Sequence, residues 1–310
     1  MPTGTRPLSL IYNPKSGFHG QQSLALDQQI MDLWIKAGFD VKKFAIAEAV
    51  DMDHMMSEVL LRHQGSHGVV VAAGGDGTLN TVARYLRDTD IPMGILPLGT
   101  FNYVARVLNI PLDLLEAAQV IAQGQSRAIH VASVNQYIYL NNASLGLYPL
   151  FIQQRENYNR VLGRFPIHAY TSALEVMLRH RKELKLEVEV DGQRYRVKTP
   201  LVFFGNNQLQ LKELNLKIAQ QVAEGKVAGV IVAKSDKLTL FKTLWQLMRG
   251  KLEQTPDVYS FAAQQVKIYS RANCLTLAID GEIVEVTTPL NISVDQHALK
   301  IMVPHAVTSV

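Results

Sequence analysis

A glycine-rich segment of this sequence has the residue types that bind phosphate groups. Residues 69–73 form an uninterrupted apolar run, and apolar residues at helical spacing follow at Val82, Ala83 and Leu86. Glycines between a buried strand and a helix let backbone N–H groups approach an anion, because no Cβ atom stands in the way, and the helix dipole adds positive potential. We therefore predict an anion-binding loop formed by Gly74, Gly75, Asp76, Gly77, Thr78, Leu79 and Asn80.

The position of Asp76 in this loop also predicts a bound cation. A carboxylate beside a phosphate is repulsive unless a cation lies between them, and Mg²⁺ prefers oxygen ligands. The side chains of Thr78 and Asn80 can donate hydrogen bonds to the same anion. The alternative interpretation is a strand-to-helix turn that merely needs glycine.

Two further polar loops follow predicted strands. Residues 13–17 (NPKSG) follow the first strand, and residues 97–102 (PLGTFN) follow the strand after the glycine-rich segment. The carboxyl ends of parallel strands meet at one edge of a sheet, where α/β proteins bind their ligands. We therefore expect all three loops to converge at one edge.

The elements that must position these loops alternate between strand and helix over the first 125 residues. Short apolar runs predict strands, and apolar residues at helical spacing predict helices between them. This alternation predicts an α/β domain with a largely parallel sheet and helices on both faces. The predicted strands are residues 8–12, 41–46, 68–73 and 93–96, and the predicted helices are residues 26–37, 52–62 and 112–122.

After Gly124 the pattern changes to alternation and hairpin turns. Residues 184–190 and 195–204 flank Asp191-Gly192, and residues 274–279 and 283–287 flank Asp280-Gly281. Asp-Gly between two alternating runs predicts a two-residue hairpin turn. We predict an antiparallel, β-rich sandwich domain, interrupted by helices at about residues 167–182 and 238–248.

Composition indicates a globular protein. The 310 residues are 47% hydrophobic and 19% charged, which excludes a disordered or fibrous chain. The single cysteine, Cys274, cannot form an intramolecular disulfide, and its place in an alternating strand predicts a buried side chain. The first residues lack the pattern of a secretory signal, so we expect a cytoplasmic protein.

The positive charge is concentrated in the second half of the chain. Residues 1–150 have a net charge of −2, and residues 151–310 have a net charge of +6. The segment 237–251 is basic and amphipathic, which suits either a membrane interface or a helix that covers the core of the β-rich domain. Arg155, Arg160 and Arg164 form a second basic group, which is either a second binding surface or a solvated face. Because most lysines and arginines of the second half are scattered among predicted strands rather than gathered into one recognition helix, we expect an anionic membrane surface or a phosphate-bearing substrate as partner, and no nucleic acid.

The three loops together resemble those of a known family. The segments NPKSG, GGDGTLN and PLGTFN, in this order and spacing, are similar to the motifs of the diacylglycerol kinase catalytic-domain family of soluble lipid kinases, which includes sphingosine and ceramide kinases. GGDGT alone also resembles a motif of NAD kinases and phosphofructokinases. Neither a Walker loop nor the G-x-G-x-x-G fingerprint occurs in the sequence.

The resemblance implies a site and a domain organisation. It implies that ATP and Mg²⁺ are bound and that Glu282, with Asp76, serves catalysis, Glu282 as the general base. It also implies that the last strand, residues 299–303, returns to the first domain, so that the domains are 1–126 with about 297–310, and 127–296. The implied ATP contacts are the glycine-rich loop of residues 74–80 together with Asn13, Pro14, Lys15, Ser16, Gly17, Thr100 and Asn102.

Several positions depart from the family pattern. Tyr103 stands where an acidic residue usually follows the asparagine of the third loop, and an expected aspartate is missing near Tyr148. The Asp-Gly of a structural magnesium site is Glu224-Gly225 here. Its carboxylate could bind a cation with the backbone carbonyls of Gln221 and Lys226, or it could belong to a plain solvated loop.

Three functions remain open at this stage. The first is an ATP-dependent lipid kinase acting on a membrane lipid, diacylglycerol before a sphingoid or other lipid, with transient association with the inner face of the membrane. The second is a soluble-metabolite kinase of the NAD kinase type. The third is a catalytically degenerate nucleotide- or lipid-binding protein, which the missing acids would explain. The sequence does not set the oligomeric state, and a homodimer is one option.

Overall fold

The fold comes from a computed structural model, which describes residues 5–14, 21–47, 50–147, 149, 183–213, 215–233 and 257–305. The chain divides into two compact units: Met1–His130 with Gln296–Val310, and Val131–Asp295. The predicted helices near residues 167–182 and 238–248, the segment 237–251, Tyr148 and the arginines at 155, 160 and 164 lie outside the described residues. Within those residues, no helix combines the length and the apolar character needed to span a bilayer.

The first unit is an α/β domain with a parallel sheet, as the alternating pattern predicts. The strand order is β2 (Phe39–Ala45), β1 (Arg6–Tyr12), β3 (Val69–Gly74) and β4 (Met93–Pro97). The end of β16 (Leu290–Val303) continues the sheet, where Ile301 pairs in parallel with Met93 of β4. Among the described residues of this unit, helices lie between successive strands from β1 to β4, and two more helices follow β4. The elements are β1 (Arg6–Tyr12), α1 (Gln21–Lys36), β2 (Phe39–Ala45), α2 (Met52–His63), β3 (Val69–Gly74), α3 (Asp76–Leu86), β4 (Met93–Pro97), α4 (Tyr103–Val107) and α5 (Leu114–Gln123).

Capping side chains set where two of these helices begin. The carboxylate of Asp51 accepts hydrogen bonds from the backbone N–H groups of Asp53 and His54, and Asp113 caps α5 in the same way. Such caps satisfy N–H groups that have no partner within the helix. Because donor and acceptor lie within three residues of each other, these caps allow the starts of both helices to be predicted from the sequence.

Close packing holds the helices on the sheet. Strands β3 and β4 are buried along their whole length, and a Cβ atom at Gly94 of β4 would come within 2.8 Å of Ile121 on α5. The indole nitrogen of Trp34 on α1 donates to the carbonyl of Ala118 on α5 at 3.0 Å. The first unit therefore offers a rigid support for the loops at the end of β3 and β4.

The second unit is an antiparallel β-sandwich. One sheet has the order β12-β11-β10-β7-β14-β15, and the first part of β16 pairs with β13, which continues to β8 and β9. One apolar core joins side chains of both layers, among them Val188, Phe204 and Ile268. The elements are β5 (Gln125–Val134), which begins in the first unit, β6 (Tyr137–Tyr139), β7 (Asn142–Gly146), β8 (Leu184–Val190), β9 (Gln193–Thr199), β10 (Leu201–Gly205), α6 (Gln208–Glu213), α7 (Ala219–Ala223), β11 (Val227–Val232), β12 (Val258–Ala263), β13 (Gln265–Ser270), β14 (Cys274–Ile279), β15 (Glu282–Thr287) and β16 (Leu290–Val303).

Both predicted Asp-Gly hairpin turns are present. Asp191 and Gly192 have φ values of 46° and 86°, and Asp280 and Gly281 have φ values of 45° and 91°. Two successive positive φ values define a type I′ turn, whose twist matches that of the strands it joins. The turns therefore set the register of β8 with β9 and of β14 with β15.

Two expectations about the second half are wrong in detail. The predicted strand 195–204 is divided at Pro200 into β9 and β10, because proline lacks the N–H that a continuous ladder needs. The side chain of Cys274 is exposed, not buried. Leu275 and Leu277 of the same strand face the core, so the alternation of the strand turns Cys274 to the opposite face at the open end of the hairpin.

We predict that the first unit loses stability in mild acid through His63. This histidine is 2% exposed, its Nε2 atom lies 3.0 Å from the Ser9 hydroxyl, and burial, with a smaller contribution from Arg62, lowers its pKa to about 4. The unfolded chain has the ordinary histidine pKa of about 6.5, so between about pH 6.5 and 4 it binds a proton that the folded protein does not. The free energy of unfolding should fall by roughly 1–3 kcal/mol over this window.

Urea denaturation at several pH values measures this loss. His63→Gln keeps a polar group near Ser9 but does not titrate, so its stability should depend less on pH in the same window. An equal pH dependence of the parent and His63→Gln would show that other groups cause the acid loss.

Candidate active site

The glycine-rich loop and the third loop are joined by their backbones. They follow the neighbouring strands β3 and β4, whose last residues, Gly74 and Pro97, are paired. The N–H of Leu98 donates to the carbonyl of Gly74 at 3.0 Å. The predicted convergence of these two loops at the carboxyl edge of the sheet is therefore observed.

Glycine is required where the two loops touch. A Cβ atom at Gly99 would lie 2.7 Å from the Cα atom of Gly75 and 2.8 Å from Oδ1 of Asn102. A Cβ atom at Gly74 would lie 2.4 Å from the hydroxyl oxygen of Thr78. Such distances are shorter than van der Waals contact allows, so any side chain at these positions would push the loops apart or displace Thr78. The glycines here serve close approach of the backbone rather than a positive φ angle.

Helix α3 begins directly at this contact. Gly75 is its N-cap residue and offers no side chain to the first turn, and Asp76 is the first helical residue. A helix start without a capping side chain leaves its N–H groups to water or to a bound anion. The joined loops and the start of α3 form an arrangement suited to a polyphosphate, which we call the anion seat (Gly74–Asn80 with Gly99).

Asp76 holds the third loop as well as lining the anion seat. Its Oδ1 atom accepts a long hydrogen bond, 3.4 Å, from the N–H of Val104 in α4. The residue is half-buried. The Asp76 carboxylate therefore has a structural contact in addition to any contact with a cation. The hydrogen bond from Val104 needs only an acceptor oxygen, whereas binding of a cation needs the negative charge.

Asn102 fixes the shape of the third loop. Its φ of 49° is in the left-handed region, which asparagine tolerates better than most residues. Its side-chain oxygen accepts from the N–H of Gly99 at 2.9 Å, and its amide nitrogen donates to the carbonyl of Gly99 at 2.8 Å. Both polar atoms of this buried side chain are thus engaged within the loop, so Asn102 holds the loop in shape, and its predicted contact with ATP stays a prediction.

The other residues predicted to contact ATP take different positions. Leu79 is 2% exposed and packs in the core, so only its backbone can face a ligand, whereas Thr100 is exposed. Asn13 and Pro14 follow β1, which lies next to β3 in the sheet. Lys15, Ser16 and Gly17 of the first loop lie outside the described residues.

Glu282 belongs to the second unit, at the start of β15. It pairs with Ile279 across the Asp280-Gly281 turn, and its side chain is exposed. An exposed carboxylate after a tight turn is placed firmly by its backbone and keeps its side chain accessible to a substrate. This position suits a proton acceptor, and the role of general base stays a prediction.

Asp280 is the residue whose importance sequence reasoning missed. Its carboxylate accepts three backbone hydrogen bonds, from Leu140 at 2.7 Å and from Asn141 and Asn142 at 2.9 Å each. Burial, with the charge of Asp280 as a smaller cause, raises the pKa of the neighbouring Tyr139. Asp280 therefore ties the turn that carries Glu282 to the start of β7. Its sequence signal is that of an ordinary hairpin turn, since its partners are about 140 residues away in the chain.

The proposed metal site at Glu224 stays a prediction. The Glu224 carboxylate contacts the Lys226 ammonium group at 3.0 Å, and the carbonyl of Gln221 accepts from the N–H groups of Glu224 and Lys226 at 3.1 Å each. These contacts are those of a closed turn. Elsewhere too in the described part of the chain, no three histidine, cysteine, aspartate or glutamate residues cluster in a way that could hold a metal ion.

The chain is similar to proteins of one family along most of its length. Residues 7–134 match the diacylglycerol kinase catalytic domain, and residues 152–303 match the YegS C-terminal NAD kinase beta sandwich-like domain. A protein named diacylglycerol kinase from Staphylococcus aureus is 29% identical over 276 residues, which cover 88% of this chain and 85% of that protein. Its counterpart from strain Newman is 28% identical over 279 residues, with the same coverage.

A solved structure has the same fold. The crystal structure of a diacylglycerol kinase from Bacillus anthracis strain Sterne superposes with a TM-score of 0.73 at 21% sequence identity, covering 98% of this chain and 99% of that one. At this identity the likeness supports the fold alone. Together with the matched domains, it agrees with an α/β unit followed by an antiparallel β-rich unit.

We predict that Gly99→Ala weakens the binding of a phosphate-bearing nucleotide. The added methyl group would meet Gly75 and Asn102 and separate the loops of the anion seat. Affinity should fall at least about tenfold, equivalent to about 1.4 kcal/mol of binding free energy. Calorimetric titration with ATP and Mg²⁺ measures this change.

Gly94→Ala is the matched control for this variant. Its methyl group would meet Ile121 instead, so it should cost about 1–3 kcal/mol of stability by overpacking while the anion seat stays intact. Equal loss of affinity in both variants, at a temperature where both are folded, would mean that a general disturbance of the first unit and not separation of the two loops weakens binding.

We predict that Asp280→Asn destabilises the second unit more than Asp191→Asn does. Both oxygens of Asp280 accept backbone hydrogen bonds, so an amide would set one NH₂ group against an N–H donor and cost about 1–3 kcal/mol. In Asp191 the single atom Oδ1 accepts from both Gln264 and Gln265, and the oxygen of asparagine can replace it. Denaturant unfolding of the two variants tests the difference, and equal losses would contradict it.

Proposed function

Because the chain belongs to the diacylglycerol kinase catalytic-domain family, we propose that it transfers the γ-phosphate of ATP to a hydroxyl group of a membrane lipid, with diacylglycerol as the first candidate acceptor. Membership of this family makes the chain a phosphotransferase with an alcohol group as acceptor. The lipid, the use of ATP and the association with a membrane are the proposed parts.

The observation that carries the proposal is the anion seat. Two loops meet there with glycine backbones in contact, at the start of a helix without a capping side chain. Phosphoryl transfer depends mainly on positioning and on neutralising charge, and backbone N–H groups on a rigid support achieve the first. A polyphosphate bound at the seat would lie at the positive end of the α3 dipole.

Asp76 supports the use of magnesium. Bound Mg²⁺ would neutralise charge on the transferring phosphoryl group. Asp76 is the acidic residue of the anion seat, and its position in the first turn of α3 would bring a carboxylate beside phosphates bound at the seat. We assign it the task of holding the cation. With Tyr103 in place of the acid usual in the family, Asp76 takes this task without a carboxylate from the third loop.

We assign to Glu282 the role of accepting the proton of the acceptor hydroxyl group. In the proposed reaction the acceptor oxygen forms a bond to the γ-phosphorus, the bond from that phosphorus to the β-phosphate oxygen breaks, and ADP leaves. The hydroxyl proton passes to the carboxylate of Glu282. The exposed side chain of Glu282 and the resemblance of Asp280-Gly281-Glu282 to the family support this role.

A membrane lipid fits the charge of the chain better than a soluble acceptor does. The second half has a net charge of +6, which attracts an anionic bilayer surface. Acceptors of the NAD kinase type are the second candidate, because residues 152–303 match a domain described as NAD kinase beta sandwich-like. Both functions use the same anion seat and differ in the acceptor.

A phosphorylation assay decides between these acceptors. Purified protein with ATP and Mg²⁺ is given vesicles containing diacylglycerol, monoacylglycerol or sphingosine, or NAD without any lipid. We expect a phosphorylated lipid, with diacylglycerol the fastest acceptor. Phosphorylation of NAD alone would replace the lipid proposal, and ATP binding without turnover of any acceptor would support a degenerate binding protein.

We predict that Asp76→Asn lowers turnover by about a hundredfold or more with little change in stability. The asparagine oxygen can still accept from the N–H of Val104, so the tie between the loops is kept while the charge that holds the cation is lost. Turnover at saturating ATP and the melting temperature are the two measurements.

Asp113→Asn is the matched control for Asp76→Asn. Asp113 caps α5, and asparagine caps a helix nearly as well as aspartate does, so both turnover and stability should stay close to those of the parent. If Asp76→Asn kept turnover within a few-fold of the parent, Asp76 would be a structural residue and the metal role would be rejected.

A further inference from the structure

Two aromatic rings lie at the surface of the first unit where the third loop meets α4, that of Phe101 in the loop and that of Tyr103 at the start of the helix. The rings of Phe101 and Tyr103 are stacked, with centroids 5.6 Å apart and planes only 5° from parallel. Phe101 is 52% exposed, and the guanidinium carbon of the exposed Arg106 lies 5.8 Å from the centroid of the Tyr103 ring. We call these three residues the aromatic platform.

The backbone holds the aromatic platform in place. Asn102, between the two rings, is bound to Gly99 through both of its polar side-chain atoms, and its carbonyl accepts from the N–H of Arg106 at 3.0 Å. An exposed phenylalanine keeps a large apolar area in water, which is unfavourable. Because these hydrogen bonds hold the backbone beside Phe101, the exposed ring belongs to the held conformation of the loop.

The aromatic platform adjoins the anion seat. Phe101 is two residues from Gly99, whose backbone touches Gly75, and Val104, next to Tyr103, donates to Asp76. All of these residues belong to the first unit. Whatever binds to the platform therefore lies beside the place where we put the transferring phosphate.

We propose that the aromatic platform is an anchor for the lipid–water interface of a bilayer, with the rings among the headgroups and Arg106 beside anionic lipids. This inference rests on the proposed function, in which the acceptor hydroxyl lies at that interface. The tyrosine ring with its hydroxyl group and the arginine side chain are suited to this zone, because one part of it is apolar and the other is wet, and the phenylalanine ring adds apolar area. A kinase whose catalytic loops reach the interface needs such a contact next to its phosphate site.

The size of the aromatic platform argues against a protein partner. Two aromatic side chains bury about 150–250 Å² each, far below the roughly 800 Å² that a stable protein interface needs from each partner. A bilayer does not have this requirement, since a few apolar and cationic groups are enough for transient association.

Vesicle flotation without ATP tests the anchor directly. The probes are phosphatidylcholine vesicles with and without phosphatidylglycerol. Phe101→Ala should bind both kinds of vesicle about fivefold more weakly than the parent does, because part of the buried apolar area is lost. Arg106→Gln should weaken binding only to vesicles that contain phosphatidylglycerol, and Phe101→Trp should restore or exceed the binding of the parent.

Leu61→Ala is the matched control, since Leu61 is an apolar residue of the same unit, 72% exposed on α2. Its vesicle binding should equal that of the parent. If Phe101→Ala bound vesicles as well as the parent, or if Leu61→Ala were weakened as much as Phe101→Ala, the aromatic platform would not be the anchor.

An activity assay separates the anchor from the proposed function. Phe101→Ala should lose turnover of diacylglycerol in vesicles but keep turnover of a short-chain diacylglycerol dissolved as monomers. Equal loss on both acceptors would place the ring in the catalytic site and overturn the anchor. If the parent protein phosphorylated no lipid, the kinase proposal would be refuted. The anchor would still be tested, because flotation measures vesicle binding of Phe101→Ala without any turnover.

Discussion

The candidate site depends on one contact between two backbones, that of Gly75 with Gly99. A single methyl group at Gly99 would fall 2.7 Å from the Cα atom of Gly75, so the two loops can meet only where no side chain stands between them. The contact in turn requires β3 and β4 to be neighbours in register, with Gly74 beside Pro97. The position of Asp76, the start of α3 and the shape of the third loop all follow from this arrangement.

Aspartate carboxylates that accept hydrogen bonds from backbone N–H groups stabilise helix starts, loops and turns in each unit. In the first unit, Asp51 and Asp113 begin helices, and Asp76 connects α3 to α4. In the second unit, Asp191 and Asp280 fasten two hairpin turns to neighbouring segments. Charge-assisted hydrogen bonds of this kind are stronger than neutral ones, so a few of them hold loops that an apolar core cannot reach. Of these segments, those held by Asp76 and Asp280 carry the residues proposed for chemistry.

The local patterns of the sequence were sufficient where the physical cause is local. Apolar runs and helical spacing predicted the parallel α/β unit, and Asp-Gly between alternating segments predicted both type I′ turns. The same reasoning failed for Cys274, because alternation within a strand does not tell which face is covered. It also joined β9 to β10, since the cost of Pro200 depends on whether a partner strand needs its N–H.

The sequence by itself determined the two kinds of architecture and the glycine-rich loops, because periodicity, turn chemistry and the absence of a Cβ atom are properties of neighbouring residues. Only the tertiary structure decided, for the residues of these loops and turns, which side chains are exposed and which are buried or already engaged in hydrogen bonds. Leu79 is turned into the core, Asn102 is occupied within its own loop, and Asp280 binds three N–H groups about 140 residues away. These outcomes depend on which strands become neighbours, and that choice is made by burial of the whole core rather than by any short segment.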